Sequence, residues 1–332
     1  MKIAITGAAG FIAFHVARAL LEAGHEVAGM DSFVGSDPGL ARQRLALLVD
    51  EPEFQFVELD LTAAAELQDW LTRVAPDVVL HLAGEAGARI SFSAPDDYVR
   101  NNIVGTLNVL EACRRVSPAH LLIASSSSVY GANELSPSAE SDRTDFPVSF
   151  YAATKSSAES MSHAYAQAFG IPTTCLRLFT VYGPWGRPDM ALFTFVRSIL
   201  AGAPIEVYGG GELVRDFTYV DDVAEAVLEL IHLPPAPGQV HPLSDSLSPV
   251  APWRTVNVAG SHPVLVNELI EAVEASLGTA SSRTLLPRQQ GDVVSTHADA
   301  SLLTLLTGLK LQTTLGEGVG AFVEWYREHY QV

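Results

Sequence analysis

Short apolar runs alternate along this chain with longer stretches in which apolar residues return every three or four positions. Residues 2–6 form the first run and Gly7 to Gly10 break it. Ile12, Val16, Leu20 and Ala23 then recur at helical spacing as far as Gly24. Residues 25–31 make a second run that ends in an acid, Asp31. The same reading predicts strands over residues 53–59, 77–82, 120–125 and 172–179. It predicts helices over 63–74, 96–116, 149–170 and 223–231. Past residue 180 the alternation loosens and Gly and Pro become frequent. A Pro/Ser-rich surface loop is expected over 234–252, a long helix over 316–330 closes the chain, and no internal repeat is visible. Strand–helix alternation of this kind calls for an α/β fold with a parallel sheet covered on both faces.

The break at residues 7–13, Gly-Ala-Ala-Gly-Phe-Ile-Ala, lies between a strand and a helix. Glycines there let the backbone approach a pyrophosphate, and the helix N-terminus offers free N–H groups and the positive end of its dipole. Asp31, at the end of the second strand, stands where an acid accepts hydrogen bonds from an adenosine ribose diol. It would repel a 2′-phosphate, and no Arg or Lys follows in Ser32-Phe33-Val34-Gly35. The expectation is a Rossmann-type doubly wound sheet that binds NAD in preference to NADP, built mainly from residues 1–180. Ala13 stands where a third glycine often serves helix–strand packing, and alanine costs little there.

Tyr151 and Lys155 are four residues apart and so share one helix face. An unperturbed phenol, with a pKa of about 10, is a poor base at neutral pH. A neighbouring cation favours the phenolate, by roughly 1–4 kcal/mol at ~4 Å. One pKa unit is about 1.4 kcal/mol, so the phenol is expected to move down toward working pH. A lone Tyr-x3-Lys is more often packing than chemistry. The dinucleotide loop in the same chain reverses that weighting.

Composition narrows the class. The chain has 332 residues, 48% of them hydrophobic, which is enough for a large core and two lobes. A net charge of −18 argues against a general nucleic-acid or anionic-membrane surface, since both need a basic footprint. No apolar run reaches membrane-spanning length, and the first residues read as a strand instead of a signal peptide, so a cytoplasmic protein is expected. Cys113 and Cys175 both fall in apolar patterns and are expected as buried thiols. The ten histidines form no metal-ligand spacing. His81 and His15 read as satisfied core histidines, Asp221 and Asp222 as caps of the 223–231 helix, and Trp325 and Tyr326 as packing residues.

Taken in order, the glycine loop, Ser125-Ser126-Ser127-Ser128-Val129-Tyr130-Gly131, Tyr151 with Lys155, and Arg215-Asp216-Phe217-Thr218-Tyr219-Val220-Asp221-Asp222 resemble the extended short-chain dehydrogenase/reductases that act on nucleotide sugars. The stretches from Phe179 to Ala191 and from Phe322 to Tyr326 make the chain most similar to the UDP-glucuronate 4-epimerases, essentially end to end. That resemblance implies NAD as cofactor, a UDP-sugar as substrate, a homodimer, and residues 181–332 as mainly the nucleotide-sugar lobe, with segments returning to the sheet. It makes Tyr151 the acid/base, Lys155 its electrostatic partner and a ribose ligand, and Ser126 the hydroxyl bridging sugar oxygen and phenol. Gly7, Gly10, Phe11, Ile12, Asp31, Asp60, Leu61 and Leu82 match cofactor-lining positions, and Asn102, or its neighbour Asn101, a polar residue behind the nicotinamide. Ser127, Ser128, Thr180 and Arg187 would face the sugar and its carboxylate, and Arg215 and Asp292 the nucleotide diphosphate. Related epimerases often carry an Arg where this chain has Gln289, with Arg288 adjacent to replace it.

The implied reaction inverts carbon 4, UDP-glucuronate to UDP-galacturonate, through a 4-keto sugar that turns over in the pocket. That intermediate is a β-keto acid and loses carbon dioxide unless its carboxylate is pinned. Hydroxyls at 127, 128 and 180, with Arg187, suit the task, because charge-assisted hydrogen bonds are about twice as strong as neutral ones. Dehydratases and decarboxylases on this fold usually carry an acid at the serine pair, which would repel a uronate. A 4-epimerase for neutral UDP-hexoses, a UDP-glucuronate decarboxylase and a cofactor-sensing regulator remain as alternatives, the last opposed by the intact Ser126, Tyr151 and Lys155 set.

Overall fold

A computed structural model describes residues 1–35, 37–238, 245–289, 291 and 293–332. The Pro/Ser-rich segment is thus described only in part, and Asp292 lies outside the described residues.

The first half keeps the expected rhythm. Strand β1 (Lys2–Thr6) turns through the glycines into α1 (Phe11–Glu22), which ends before Gly24 at φ +80°. Strand β2 (Glu26–Asp31) leads to α2 (Pro38–Ala46), whose Asp37 cap accepts from the Leu40 N–H at 2.9 Å. That helix is not legible in the pattern of apolar positions, for it buries only Leu40 and Arg44. Next come β3 (Phe54–Glu58), α3 (Ala64–Val74) and β4 (Val78–His81). The helix expected over 96–116 is α4 (Pro95–Tyr98), a π-helical turn Val99–Val104 and α5 (Gly105–Val116). Strand β5 (His120–Ser126), helix α6 (Phe150–Phe169) and strand β6 (Thr173–Leu178) complete this part.

The second half is more broken: β7 (Thr180–Tyr182), α7 (Ala191–Leu200), β8 (Ile205–Tyr208), β9 (Val214–Tyr219) and α8 (Val220–Leu230). Then follow β10 (Trp253–Val258), β11 (Pro263–Leu265), α9 (Val266–Leu277), β12 (Arg283–Leu286), α10 (Ser301–Thr307) and α11 (Leu315–Tyr330).

Seven parallel strands form the central sheet in the order β10-β6-β5-β4-β1-β2-β3. The order reverses between β1 and β4, and open α/β sheets bind ligands outside the strand C-termini at such a switch point. Strand β10 comes from the second half and returns to the sheet beside β6. One face is covered by Phe14, Val16 and Leu20 of α1 with Val223 and Val227 of α8. The other is covered by Leu67 and Leu71 of α3 with Val109, Leu110 and Cys113 of α5. A third core, with Phe193, Val196, Leu269, Val273, Phe322 and Tyr326, joins α7, α9 and α11 beyond the sheet's C-terminal edge. Small sheets β11-β9-β7 and β12-β8 belong to this region.

Three expectations for single residues are met and one is corrected. Cys113 and Cys175 are buried free thiols, pushed up to about 12 by burial. His81 is buried between the Thr6 and Thr106 hydroxyls at 2.8 and 3.0 Å, and Trp325 and Tyr326 pack in the aromatic cluster of α11. Asp221 and Asp222 do not cap α8. The helix begins earlier than expected, so both lie inside its first turn. Asp221 pairs with His15 at 2.6 Å, and Asp222 accepts from the Thr313 hydroxyl at 2.6 Å and its N–H at 3.1 Å.

Candidate active site

The loop after β1 forms the floor of a cleft of about 380 Å³ at the switch point, lined by Gly7, Gly10, Phe11, Asp31, Asp60 and Leu61 among others. Gly7 has φ +73°, and a Cβ there would sit 2.8 Å from the Ala83 backbone, so only glycine fits. Gly10 caps α1 with no side chain over its first N–H groups, which keeps an anion site open. Asp31 accepts from the Ala9 and Phe33 N–H groups at 3.1 and 2.8 Å. Burial raises its carboxyl, and those N–H bonds with the nearby Arg44 pull it back down. A free glycine loop, an uncapped helix end and an acid at the β2 terminus fit a dinucleotide.

Helix α6 carries the candidate chemistry. Ser149 starts it, accepting from the Ala152 N–H at 3.1 Å. Tyr151, Lys155 and Glu159 follow at intervals of four, on the side that meets β5. Lys155 donates to the Ala124 carbonyl at 2.9 Å, with its Nζ 6.0 Å from the Tyr151 ring centre. The Ser126 hydroxyl lies beside the Tyr151 phenol, pulling it down, and accepts from the Ser128 N–H at 3.2 Å. Behind them Glu159 takes two bonds from Arg177, at 3.0 and 2.9 Å, and one from Ser125 Oγ at 2.6 Å. A second cleft of about 430 Å³ opens over this row, lined by Ser126, Ser127, Ser128, Tyr151, Thr180 and Arg187 among others.

The electrostatics differ from the expectation in one respect. Burial raises the Tyr151 phenol, and the groups that pull it back are Ser126 and Arg187, not Lys155. Burial lowers Lys155 to about 8, and its ammonium is turned to the Ala124 carbonyl. The protein's own groups therefore leave the phenol above its usual value.

Arg187 lies on a sharp turn. Gly183 has φ +146° and Trp185 the left-handed φ of +62°. Arg44 holds this turn, donating to the Trp185 carbonyl at 3.0 and 2.7 Å and to the Ala9 carbonyl of the glycine loop at 3.1 Å. His15 Nε2 bonds the Pro184 carbonyl at 2.9 Å. The Arg187 guanidinium grips Asp189 at 3.0 and 2.7 Å and reaches the Ala86 carbonyl at 3.3 Å.

A model of the NAD dependent epimerase/dehydratase family matches residues 3–240. The chain belongs to that family. NAD is accordingly its cofactor. Over 335 aligned residues, covering all of this chain and 98% of the relative, it is 47% identical to a probable UDP-glucuronate 4-epimerase of Rhizobium meliloti. It is 42% identical to UDP-glucuronate 4-epimerase 1 of Arabidopsis thaliana, over 99% of this chain and 77% of the plant protein. The crystal structure of the Bacillus cereus UDP-glucuronic acid 4-epimerase in complex with UDP-glucuronic acid and NAD superposes with a TM-score of 0.89. It is 32% identical and covers 99% of this chain and all of its own.

In this member of the epimerase/dehydratase family, Gly7, Gly10, Phe11, Asp31, Asp60, Leu61 and Leu82 line the first cleft. Ile12, Leu82, Ser126, Ser127, Ser128, Tyr151, Lys155, Thr180 and Arg187 line the second. Asn102 is buried and lines neither. Its amide clamps the Glu85 backbone at 2.8 and 3.0 Å and the Thr154 hydroxyl at 3.0 Å, while Asn101 faces the cofactor cleft. The two are successive residues of a helical turn and so point to different sides. Arg215 also lines neither cleft and donates to the Val214 and Val294 carbonyls at 2.8 and 3.4 Å. Sequence reasoning missed Glu85, which lines both clefts, and Arg44. For Arg44 no signal existed, because α2 is not amphipathic. For Glu85 the signal was its place just past the end of β4 at the switch point.

Proposed function

We propose that the protein is an NAD-dependent epimerase that inverts carbon 4 of a UDP-uronic acid, interconverting UDP-glucuronate and UDP-galacturonate through a transient 4-keto sugar. The observation that carries this reading is the row of hydroxyls, Ser127, Ser128 and Thr180, that shares one cleft with Arg187 and Tyr151. The names and bound substrate of the relatives support the same assignment. Residues up to about 180 would mainly hold NAD, and those beyond mainly the nucleotide sugar.

Gly7, Gly10, Phe11 and Ile12 would hold the cofactor's diphosphate region, with Asp31 on the adenosine ribose, Asp60 and Leu61 beside the base, and Leu82 and Lys155 near the nicotinamide. NAD, when bound, would supply the hydride acceptor and donor for carbon 4 and a positive charge that favours the phenolate. The phenolate oxygen of Tyr151 takes the proton of the sugar 4-hydroxyl. Ser126, beside the phenol, would bridge the two oxygens and fix the direction of that transfer. Lys155, anchored on the Ala124 carbonyl, keeps a positive charge behind the phenol. Ser127, Ser128 and Thr180 hold the uronate so that it cannot align with the ketone and leave as carbon dioxide. Arg215 and Asp292 would meet the nucleotide end.

Incubating the protein with UDP-glucuronate and following the mixture by proton NMR should show UDP-galacturonate, with no net NADH at 340 nm. Accumulating NADH or a pentose product would replace this reading with a dehydrogenase or a decarboxylase. We further propose a homodimer formed through α4–α5 and α6. Val99, Val104, Leu107 and Phe169 there are 37–48% exposed, an apolar face that a second copy would cover. Light scattering at micromolar concentration checks it. Two buried free thiols suit the reducing cytoplasm, where we place the protein. No helix among the described residues is long and apolar enough to cross a membrane.

A further inference from the structure

The guanidinium assigned to the uronate already grips a carboxylate of its own chain. Arg187 Nε and Nη2 meet the two oxygens of Asp189 at 3.0 and 2.7 Å, the fork-to-fork geometry by which arginine recognises any carboxylate. The two residues stand on one tight turn, closed by the Met190 N–H on the Arg187 carbonyl, with Pro188 fixing the backbone between them. Their side chains are 26% and 35% exposed, and both residues line the second cleft. The backbone beneath them is pinned by Arg44 on the Trp185 carbonyl and His15 on the Pro184 carbonyl. Arg187 can therefore change partners by rotating its side chain while the turn stays in place.

We propose that Asp189 is a specificity-determining residue, an internal stand-in for the substrate carboxylate that competes with it for Arg187. This rests on the reading of the substrate as a UDP-uronate. An incoming uronate gains the Arg187 fork only by displacing Asp189, whose carboxylate moves into water. Its apparent affinity is reduced by the fraction of Arg187 that is free. A neutral sugar leaves the Arg187–Asp189 pair closed and so meets no unpaired cation in the pocket. Asp189 thereby narrows the gap between acidic and neutral sugars. Without it, the uronate binds an unclaimed Arg187, while a neutral sugar faces an uncompensated charge.

Asp189→Asn keeps the side chain's size and removes its charge. The ratio of kcat/KM for UDP-glucuronate over UDP-glucose should rise about three- to fivefold, within reach of a half-exposed ion pair, mostly through a lower KM for UDP-glucuronate. Calorimetry on the NAD-loaded protein should show a lower Kd for UDP-glucuronate and no change for UDP. UDP-glucose should show none of that gain, since it meets the uncompensated Arg187 and binds no tighter than before. Asp189→Ser, too short to reach the fork, should behave alike. In an Arg187→Met background, Asp189→Asn should leave the ratio unchanged. A ratio that stays level or falls in Asp189→Asn overturns the proposal. So does an equal rise in the Arg187→Met background, which would make Asp189 only one more negative charge near an anionic ligand. Wild-type protein that binds UDP-glucuronate without turning it over would defeat the assigned reaction, and the calorimetric ratios would still decide the role of Asp189.

Discussion

On either side of Tyr151 stands an arginine gripping a carboxylate with two bonds, and the two pairs differ chiefly in their access to water. Arg177 and Glu159, behind the β5–α6 seam, have side chains only 5% and 7% exposed. Arg177 spends its remaining donors on Tyr130 and the Glu140 carbonyl at 3.1 Å each, and Glu159 takes a third bond from Ser125. Arg187 and Asp189, at the mouth of the cleft, are 26% and 35% exposed. A pair sealed in and fully bonded can serve only by staying put. It fixes α6, which carries Tyr151, to β6, and the Ser125 bond ties the same carboxylate to β5, the strand that carries Ser126. A pair half in water costs little to open and so can trade one carboxylate for another. The same chemistry thus gives a brace in one place and an exchangeable contact in the other.

Removing the atom between the two pairs should have the largest effect. Tyr151→Phe deletes the proposed proton acceptor and should lower turnover of UDP-glucuronate by about 10²–10⁴-fold, the usual worth of general acid–base catalysis. Stability and NAD binding should be retained, because the ring and both ion pairs remain. Single-turnover rates with the loaded enzyme, alongside a denaturation curve, check both halves. Near-normal turnover would mean another group takes the proton.

The contrast in burial makes a direct prediction for stability. Arg177→Met leaves Glu159 buried and uncompensated, and should cost about 3–5 kcal/mol. Arg187→Met opens a half-exposed pair and should cost no more than about 1 kcal/mol. Urea unfolding of the two variants measures the gap. If both lose alike, the brace and the exchangeable contact are not different in kind.

Much of this was written in the sequence, unevenly. Six of the seven central strands, α1 and α6 follow from apolar periodicity, because burial on both faces of a parallel sheet leaves an unbroken apolar run. Strand β10, Trp-Arg-Thr-Val-Asn-Val, carries too many polar residues to announce itself and was missed. Tyr151, Lys155 and the glycine loop were legible because their chemistry depends on local spacing, whereas Ser126 was legible only through the family resemblance. The direction of the Tyr151 shift was not, since it is set first by burial, while the Lys155 ammonium that was expected to oppose it is turned to the Ala124 carbonyl 31 residues away. Arg44 was hidden for a similar reason, as its partners at Ala9 and Trp185 are 35 and 141 residues distant. The role of Asn102 as a clamp, with Asn101 facing the cleft, rests on its contacts with Glu85 and Thr154, 17 and 52 residues away.

If the front pair is indeed the exchangeable one, Arg187→Ala should hurt UDP-glucuronate more than UDP-glucose. Loss of one charged partner predicts a differential of roughly 1.5–3 kcal/mol, or about tenfold to a few hundredfold in kcat/KM. Some remaining turnover should leak to the decarboxylated product, because the carboxylate is then freer to align with the ketone. Steady-state kinetics on both sugars, with NMR of the products, tests this. Equal losses would assign Arg187 to the fold or to the diphosphate.

The smallest effect extends the contrast between sealed and open groups to pH. His81 and His120 are buried in the central sheet, and burial lowers them to about 3 and about 4. In the unfolded chain both return to about 6.5. Between those values the unfolded chain holds protons that the folded chain does not. Stability must therefore fall as pH drops below about 6.5, by about 1.4 kcal/mol per pH unit for each imidazole. Glu140 works against them. Burial raises it to about 7, so between its ordinary value of 4.5 and 7 the folded chain holds the extra proton, and stability grows as pH falls. The total slope mixes these contributions, and a variant separates them. His120 is bonded through Nε2 to the Thr174 hydroxyl at 2.9 Å, a partner that an amide can also satisfy. His120→Gln should fold, and its unfolding free energy between pH 6.5 and 5 should fall less steeply than wild type by about 1.4 kcal/mol per unit. Urea titrations at closely spaced pH values measure that difference. Parallel slopes would show that the folded protein admits a proton at His120, and that this part of the scaffold is as open to water as the cleft.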